Sequence, residues 1–161
     1  MSYLTAVRQV FQNLTINCMG RREKRQKSKG SAGNNRKVGE EFLAQNARKP
    51  GVVETESGLQ YLIVDEGEGE KPDEWSTVEI HQRVLLLNGT ILGDTYRANQ
   101  TSIVPVNELI EGLQEGLPLM SVGSPYKFWV ASDLAWGRKG TGNKIPPNAV
   151  LHFDIRLVSI T

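Results

Sequence analysis

Hydrophobic and polar positions along this chain follow two different periods, and the period changes near residue 52. In residues 1–18 the apolar side chains recur every three or four positions, which predicts an amphipathic helix of about five turns. The members of this stripe are Leu4, Val7, Phe11, Leu14 and Cys18. A second helix is predicted from Asn35 to Arg48, with Asn34 or Asn35 as its N-cap and Pro50-Gly51 after its end.

From residue 52 onward the period is two, which is typical of strands with one buried face. The predicted strands are Leu59 to Ile63, Val78 to the hairpin signal Asn88-Gly89, Ile103 to Val106, Tyr126 to Val130, and Val150 to Val158. Asn107 is the predicted cap of a short helix from Glu108 to Glu115. The pattern predicts an α+β fold, in which an antiparallel sheet of about five strands wraps on one short helix and is preceded by N-terminal helices.

This pattern predicts that the chain is divided into three parts. Residues 1–34 hold the amphipathic helix and a basic linker, residues 35–51 form a connecting helix, and residues 52–161 form the main domain. In the connecting helix, Val38, Phe42 and Leu43 are expected on one apolar side.

The charge is divided between the two ends of the chain. Residues 1–50 carry 11 Lys/Arg against 3 Asp/Glu, and residues 51–161 carry 8 against 15. The basic run from Arg21 to Lys29 leads into a segment of linker composition. Because no aromatic residue is interleaved with this run, we interpret it as a solvated tether and expect no nucleic-acid partner.

Composition argues against a membrane span and against secretion. No apolar run approaches the roughly 20 residues that a span requires. Cys18 is the single cysteine, and residues 1–15 lack the apolar core and cleavage site of a signal peptide. We therefore expect a cytoplasmic protein.

The amphipathic stripe has three interpretations that the sequence leaves open. It packs on its own domain or frays, it pairs with the same helix of a second subunit, or it lies on a membrane surface. Pairing would give a homodimer through residues 3–18.

The residues of conventional catalysis are sparse. His81 and His152 each fall within a predicted strand, and no carboxylate pair has a spacing that the sequence determines. The glycines of Gly137-x-x-Gly140-x-Gly142 do not follow a strand and open a helix, as a phosphate loop must. We expect no metal and no cofactor.

What remains is an apolar cleft between the short helix, the sheet and a glycine-rich loop closed by a Pro-Pro pair. We call residues 137–149 of this loop the flap, with Trp136 at its hinge. The candidate lining residues are Leu109, Ile110, Leu113, Trp136, Ile145 and Phe153. On spacing alone, each of them is explained more readily as a core residue than as a ligand contact.

Several motifs resemble the FKBP-type peptidyl-prolyl cis-trans isomerases. The run from Leu109 to Gly123 is similar to the family segment V-I-x-G-W-x-E-G-L-x-x-M-x-x-G. Ser132 to Gly137 with Lys144 to Asp154 resembles P-x-x-A-Y-G…I-P-P-N-A-x-L-x-F-x-V. Residues Phe42 to Tyr61 are similar to the entry of the macrophage infectivity potentiator (Mip) branch. The resemblance covers about residues 36–160, and the arm ahead of it is shorter than the dimerising region usual in Mip-type relatives.

The resemblance implies a set of site residues. Trp136, Ile110 and Asp94 are the expected catalytic residues, and the expected substrate-binding residues are Gln82, Leu92, Leu109, Leu113, Ile145 and Phe153. Four of these depart from the family pattern: Gln82 and Trp136 stand where the family has tyrosine, Leu92 where it has an aromatic residue, and Leu113 where it has tryptophan. The family's acidic pocket residue is either lost at Gly93 or displaced by one position to Asp94.

The activity that the resemblance implies is isomerisation of X-Pro bonds in proline-containing polypeptides, in support of protein folding. Rotation about such a bond has a barrier of about 18–20 kcal/mol, and an apolar cleft disfavours the charge-separated planar amide. The indole of Trp136 and the backbone N–H of Ile110 are candidate donors to the substrate. A macrolide is a further expected ligand.

Leu113 offers a smaller floor for the proline ring, so we expect activity below that typical of the family. The alternative is a non-catalytic binding module or chaperone that grips proline-containing or unfolded segments. The altered positions Gln82, Leu92, Gly93 and Leu113 favour it.

Overall fold

The computed structural model describes residues 32–141 and 144–161. The predicted amphipathic helix of residues 1–18 and the basic run lie outside the described residues. The helices are α1 (Ala32–Asn46), α2 (Thr95–Ala98) and α3 (Glu111–Gly116). The strands are β1 (Val52–Glu54), β2 (Gln60–Ile63), β3 (Thr77–Leu86), β4 (Ile91–Asp94), β5 (Ser102–Pro105), β6 (Pro125–Val130) and β7 (Leu151–Ile160).

All described strands join one antiparallel sheet in the order β1-β2-β6-β7-β3-β4. Strand β5 pairs with the first half of β3, on the edge whose second half pairs with β4. The α+β prediction with an antiparallel sheet is confirmed, but β1 and β4 were not predicted. Strand β1 has only three residues, and the sequence Ile-Leu-Gly-Asp of β4 does not alternate apolar and polar residues.

One face of this sheet, which we call the inner face, carries the core. Val84, Phe153 and Phe128 are cross-strand partners on β3, β7 and β6 and are all buried. Helix α3 covers β6 on this face through two glycines four positions apart. A Cβ atom on Gly112 would lie 2.5 Å from a methyl group of Val130, and one on Gly116 would lie 2.7 Å from the Phe128 ring. The two glycines therefore allow α3 to approach the sheet closely.

The opposite, outer face carries α1. Gln60 on β2 alternates with the inner-face residue Tyr61 and is fully buried. Asn46 at the end of α1 donates its amide to the Gln60 side-chain oxygen at 2.9 Å, and the Gln60 amide donates to the Leu43 carbonyl at 2.9 Å. Two buried amides therefore dock the end of the connecting helix on the sheet.

Three local predictions about the helices were wrong. Asn34 and Asn35 lie inside α1 and not at its cap, because the helix begins earlier, at Ala32. Val38 is 46% exposed, so it does not belong to the docking face of α1, although Leu43 of the same predicted apolar side does. Helix α3 begins after Ile110, and Asn107 belongs to the preceding 3-10 turn, Val106–Glu108. Within residues 32–141 and 144–161, no helix is long and apolar enough to cross a bilayer.

Candidate active site

The apolar candidates for the cleft lie together in one hydrophobic cluster. They come from β4, from α3 and the turn before it, from the flap and its hinge, and from β7. Leu113, Ile145 and Phe153 are buried members, with 1–3% of their surface exposed. Leu92, Leu109, Ile110 and Trp136 are partly buried and pack against them. The structure therefore brings seven of the nine predicted site residues into contact with a single core.

Gln82 adds a polar group to this apolar region. It lies on the inner face of β3 opposite Ile155 of β7, and only 3% of its surface is exposed. Among residues 32–141 and 144–161, the hydrogen bonds shown for Gln82 involve its backbone N–H and carbonyl groups. This side chain places an amide donor and an amide acceptor on the inner face.

Thr95 holds the backbone of Gln82 in place. Strand β5 pairs with Thr77 to Ile80 and β4 with Arg83 to Leu85, so the described sheet leaves a gap beside Gln82 on this edge of β3. The Thr95 hydroxyl fills the gap. It accepts from the Gln82 N–H at 2.8 Å and lies 3.3 Å from the Gln82 carbonyl oxygen. Sequence reasoning missed this residue, although the pair Asp94-Thr95 after a strand is a helix-start signal.

Asp94 lies apart from the other candidates. It is the cross-strand partner of Arg83, with an ion pair of 2.8 Å between Arg83 Nε and Asp94 Oδ2 on the outer face. Its other oxygen accepts from the Arg97 N–H and caps α2. Gly93 pairs instead with Val84, on the inner face. The family's acidic pocket residue is thus lost at Gly93, and we withdraw the prediction of a catalytic role for Asp94.

The flap is closed at its base by backbone hydrogen bonds. The Asn148 N–H donates to the Gly137 carbonyl at 2.9 Å, and the Gly137 N–H donates to the Ser132 carbonyl at 2.8 Å. Gly137 and Gly140 have φ angles of 61° and 63°, which favour glycine. Ile145 anchors the flap in the core, with 1% of its surface exposed.

Neither histidine lies on the inner face of the sheet. His81 and His152 pair with Arg156 and Trp129, respectively, in rows that alternate with the inner-face residues. In the part of the chain that the structure describes, no three His, Cys, Asp or Glu residues are grouped as a metal site would require. The apolar cluster therefore offers an apolar environment, and among the described residues it contains no conventional acid–base pair.

Comparison with protein families agrees with this geometry. A family model described as FKBP-type peptidyl-prolyl cis-trans isomerase matches residues 68–158. This chain belongs to the FKBP-type isomerase family. A second family model, described as the domain amino terminal to FKBP-type peptidyl-prolyl isomerase, matches residues 2–63.

Relatives of this FKBP-type chain include the FKBP-type peptidyl-prolyl cis-trans isomerase FkpA of Aeromonas hydrophila. It is 45% identical over 126 residues, which are 78% of this chain and 47% of the relative. Outer membrane protein MIP of Legionella longbeachae is 40% identical over 126 residues, 78% of this chain and 54% of that protein. The chain spans about half the length of these curated relatives. The predicted resemblance to the Mip branch is confirmed.

Solved structures support the same FKBP fold. The crystal structure of FkpA from Escherichia coli superimposes with a TM-score of 0.78 at 30% sequence identity, covering 81% of this chain and 61% of that one. A peptidyl-prolyl cis-trans isomerase from Pseudomonas syringae gives a TM-score of 0.77 at 28% identity, covering 83% and 98%.

Proposed function

We propose that this chain is an active prolyl isomerase that rotates X-Pro bonds in polypeptides and so assists their folding. The observation that carries the proposal is an unpaired donor beside the apolar cluster. In the described part of the chain the backbone N–H of Ile110, immediately before α3, donates to no acceptor. Ile110 is partly buried, and most backbone N–H groups in folded proteins are paired, so we infer that this N–H is available to a substrate carbonyl.

The proposed mechanism needs no nucleophile. The proline of the substrate's X-Pro bond enters an apolar site lined by Leu113, Ile145 and Phe153. Loss of water in this site disfavours the planar, charge-separated amide. The Ile110 N–H holds the carbonyl next to the bond that twists. Interactions of this kind accelerate the reaction only as far as they are stronger in the twisted state than in the planar one.

We expect this activity to be weaker than that of family members with the usual pocket. Leu113 covers less of a proline ring than a tryptophan would, and Gly93 supplies no carboxylate. Gln82 retains a donor and an acceptor at the former tyrosine position, and its amide is a proposed substrate contact. The indole of Trp136 is the second proposed donor.

A protease-coupled assay with a short X-Pro peptide tests the proposal. Catalysed isomerisation is expected, with a lower kcat/KM in Trp136→Phe, which retains an aromatic ring and removes the indole N–H. A wild-type rate equal to the uncatalysed rate would contradict the proposal.

The second candidate function is a non-catalytic module or chaperone for proline-containing or unfolded segments. The altered positions Gln82, Gly93 and Leu113 favour it, because they change the cleft without removing its apolar surface. Binding of a proline peptide, or suppression of aggregation of an unfolded protein, without any acceleration of isomerisation would support this function. A macrolide that competes with the peptide would place both ligands in the cleft.

We also propose a homodimer through residues 3–18, which lie outside the described residues. The family model that matches residues 2–63 supports an amino-terminal module of the family's kind. Sedimentation should give a concentration-dependent dimer that Phe11→Asp abolishes, with activity on a short peptide retained. A monomer at every concentration that binds liposomes would favour the membrane-surface interpretation instead.

The cytoplasmic location stays a prediction, and cell fractionation tests it.

A further inference from the structure

The first turn of α1 is hydrogen-bonded to the end of the flap at two places. The Asn35 side-chain amide donates to the Pro147 carbonyl oxygen at 3.0 Å. The Asn148 side-chain amide donates to the Ala32 carbonyl oxygen at 2.9 Å. Residues more than 110 positions apart in the sequence are therefore joined where the connecting helix begins.

The face of α1 that contacts the domain is small and polar. Asn35, Gly39, Leu43 and Asn46 lie three or four positions apart and so share one side of the helix. A Cβ atom on Gly39 would lie 2.8 Å from a methyl group of Val150, which shows how closely the helix approaches the strand. The contact therefore depends on amide hydrogen bonds and close approach, and less on a large apolar interface.

Two cavities flank this line of contact. One of about 120 Å³ lies between α1 and the hinge side of the flap, and Arg36, Asp133 and Arg138 are among its lining residues. The other, of about 140 Å³, lies between α1 and the β3–β4 hairpin, with Val38 and Pro146 in its lining. Because the helix is not fully packed on either side, the two asparagine hydrogen bonds carry much of the orientation of its first turns.

Asn148 also helps to close the flap. Asn148 has a φ angle of 57°, in the left-handed region, and its N–H donates to the carbonyl of Gly137, the residue after Trp136. Ile145, two residues before Pro147, is buried in the cleft cluster. A shift of the Pro147-Asn148 peptide would therefore displace both the hinge and the buried anchor of the flap.

We propose that Asn35 and Asn148 are positioning residues, which hold the flap in its catalytic geometry by docking the first turn of α1 against it. The inference rests on the proposed isomerase function.

Asn35→Asp is the decisive variant. The carboxylate has nearly the shape of the amide but cannot donate to the Pro147 carbonyl. Because a negative charge in the first turn favours a helix, α1 itself should not be weakened. Loss of one hydrogen bond predicts a fall in kcat of about fivefold with KM nearly unchanged, since Asn35 does not touch the substrate.

Lys37→Gln is the matched control. It makes the same change of net charge two residues away, at a side chain that is 76% exposed. Its kcat should equal that of the wild type.

Amide hydrogen exchange of Gly137 and Asn148 gives a readout that does not depend on activity. Faster exchange of both amides in Asn35→Asp, together with the loss of kcat and an unchanged control, would support the inference. Wild-type kcat in Asn35→Asp, or a lower kcat with unchanged exchange, would overturn it. If the wild type itself is inactive, the proposed function fails, while the exchange rates still decide whether α1 holds the flap.

Discussion

His152 should make the stability of this protein depend on pH. It lies on the outer face of β7, stacked on Trp129 with ring centroids 5.2 Å apart. Its Nε2 atom is buried and has no hydrogen-bond partner among the described residues. Burial lowers the pKa of His152 below its ordinary value of 6.5; Lys127 and Lys49 act in the same direction, and Asp154 opposes them.

The sign of the effect follows from proton binding in the two states. Below about pH 6.5 the unfolded chain binds a proton at His152 more readily than the folded chain does. The free energy of unfolding therefore falls as the pH decreases from 6.5 towards the lowered pKa. One such group changes it by at most about 1.36 kcal/mol per pH unit, and the partial exposure of the ring keeps the change below this limit.

His152→Phe tests this reasoning. Phenylalanine keeps the ring stacked on Trp129 and removes both the titrating group and the unpaired nitrogen. The variant should be more stable than the wild type at pH 7–8 by about 1 kcal/mol, the cost of one unsatisfied buried polar group, and the difference should grow between pH 6.5 and 5.

Urea unfolding followed by tryptophan fluorescence at pH 5, 6, 7 and 8 measures both terms. His152→Gln separates them, because it cannot titrate but retains a polar side chain. It should lose the pH dependence without the gain at neutral pH. Parallel curves of free energy against pH for the wild type and His152→Phe would refute the reasoning.

The remaining predictions concern the cleft and the flap. Phe153→Ala should lower the free energy of unfolding by about 3–5 kcal/mol and reduce isomerase activity. Trp136→Ala should reduce activity with a much smaller loss of stability. Wild-type activity in a folded Trp136→Ala variant would contradict the assignment of Trp136 to the site. Leu113→Trp should raise kcat/KM by enlarging the floor, at a cost of about 1–3 kcal/mol of stability because the site is 98% buried; an unchanged rate in a folded variant would show that Leu113 does not face the cleft. Gly140→Ala places a Cβ atom against the Ile145 carbonyl oxygen at positive φ, so activity should fall at least about tenfold in the coupled assay while urea unfolding shifts by about 1–3 kcal/mol. Wild-type activity in Gly140→Ala would mean that the flap geometry is not required.

The long strands and the apolar cluster could be predicted from the sequence, because their signal is local and repeated. Strand β3 is ten residues long and alternates buried and partly exposed positions through Val84, so its period is readable and places Gln82 on the inner face. The same alternation in β7 placed Phe153 in the core. The resemblance to family motifs then assigned residues of α3 and the flap to one predicted cleft.

The side on which Asp94 lies, the role of Thr95 and the docking of α1 were decided only by the tertiary structure. The register of β4 against β3 pairs Asp94 with Arg83, and a shift of one residue would have placed it on the inner face. Thr95 acts because two short strands leave a gap that no single segment reveals. Asn35 resembles a helix cap in the sequence, yet its partner is Pro147, 112 residues away. Hydrophobic periodicity reports burial along one element, whereas hydrogen bonds between distant polar groups exist only after the chain has folded.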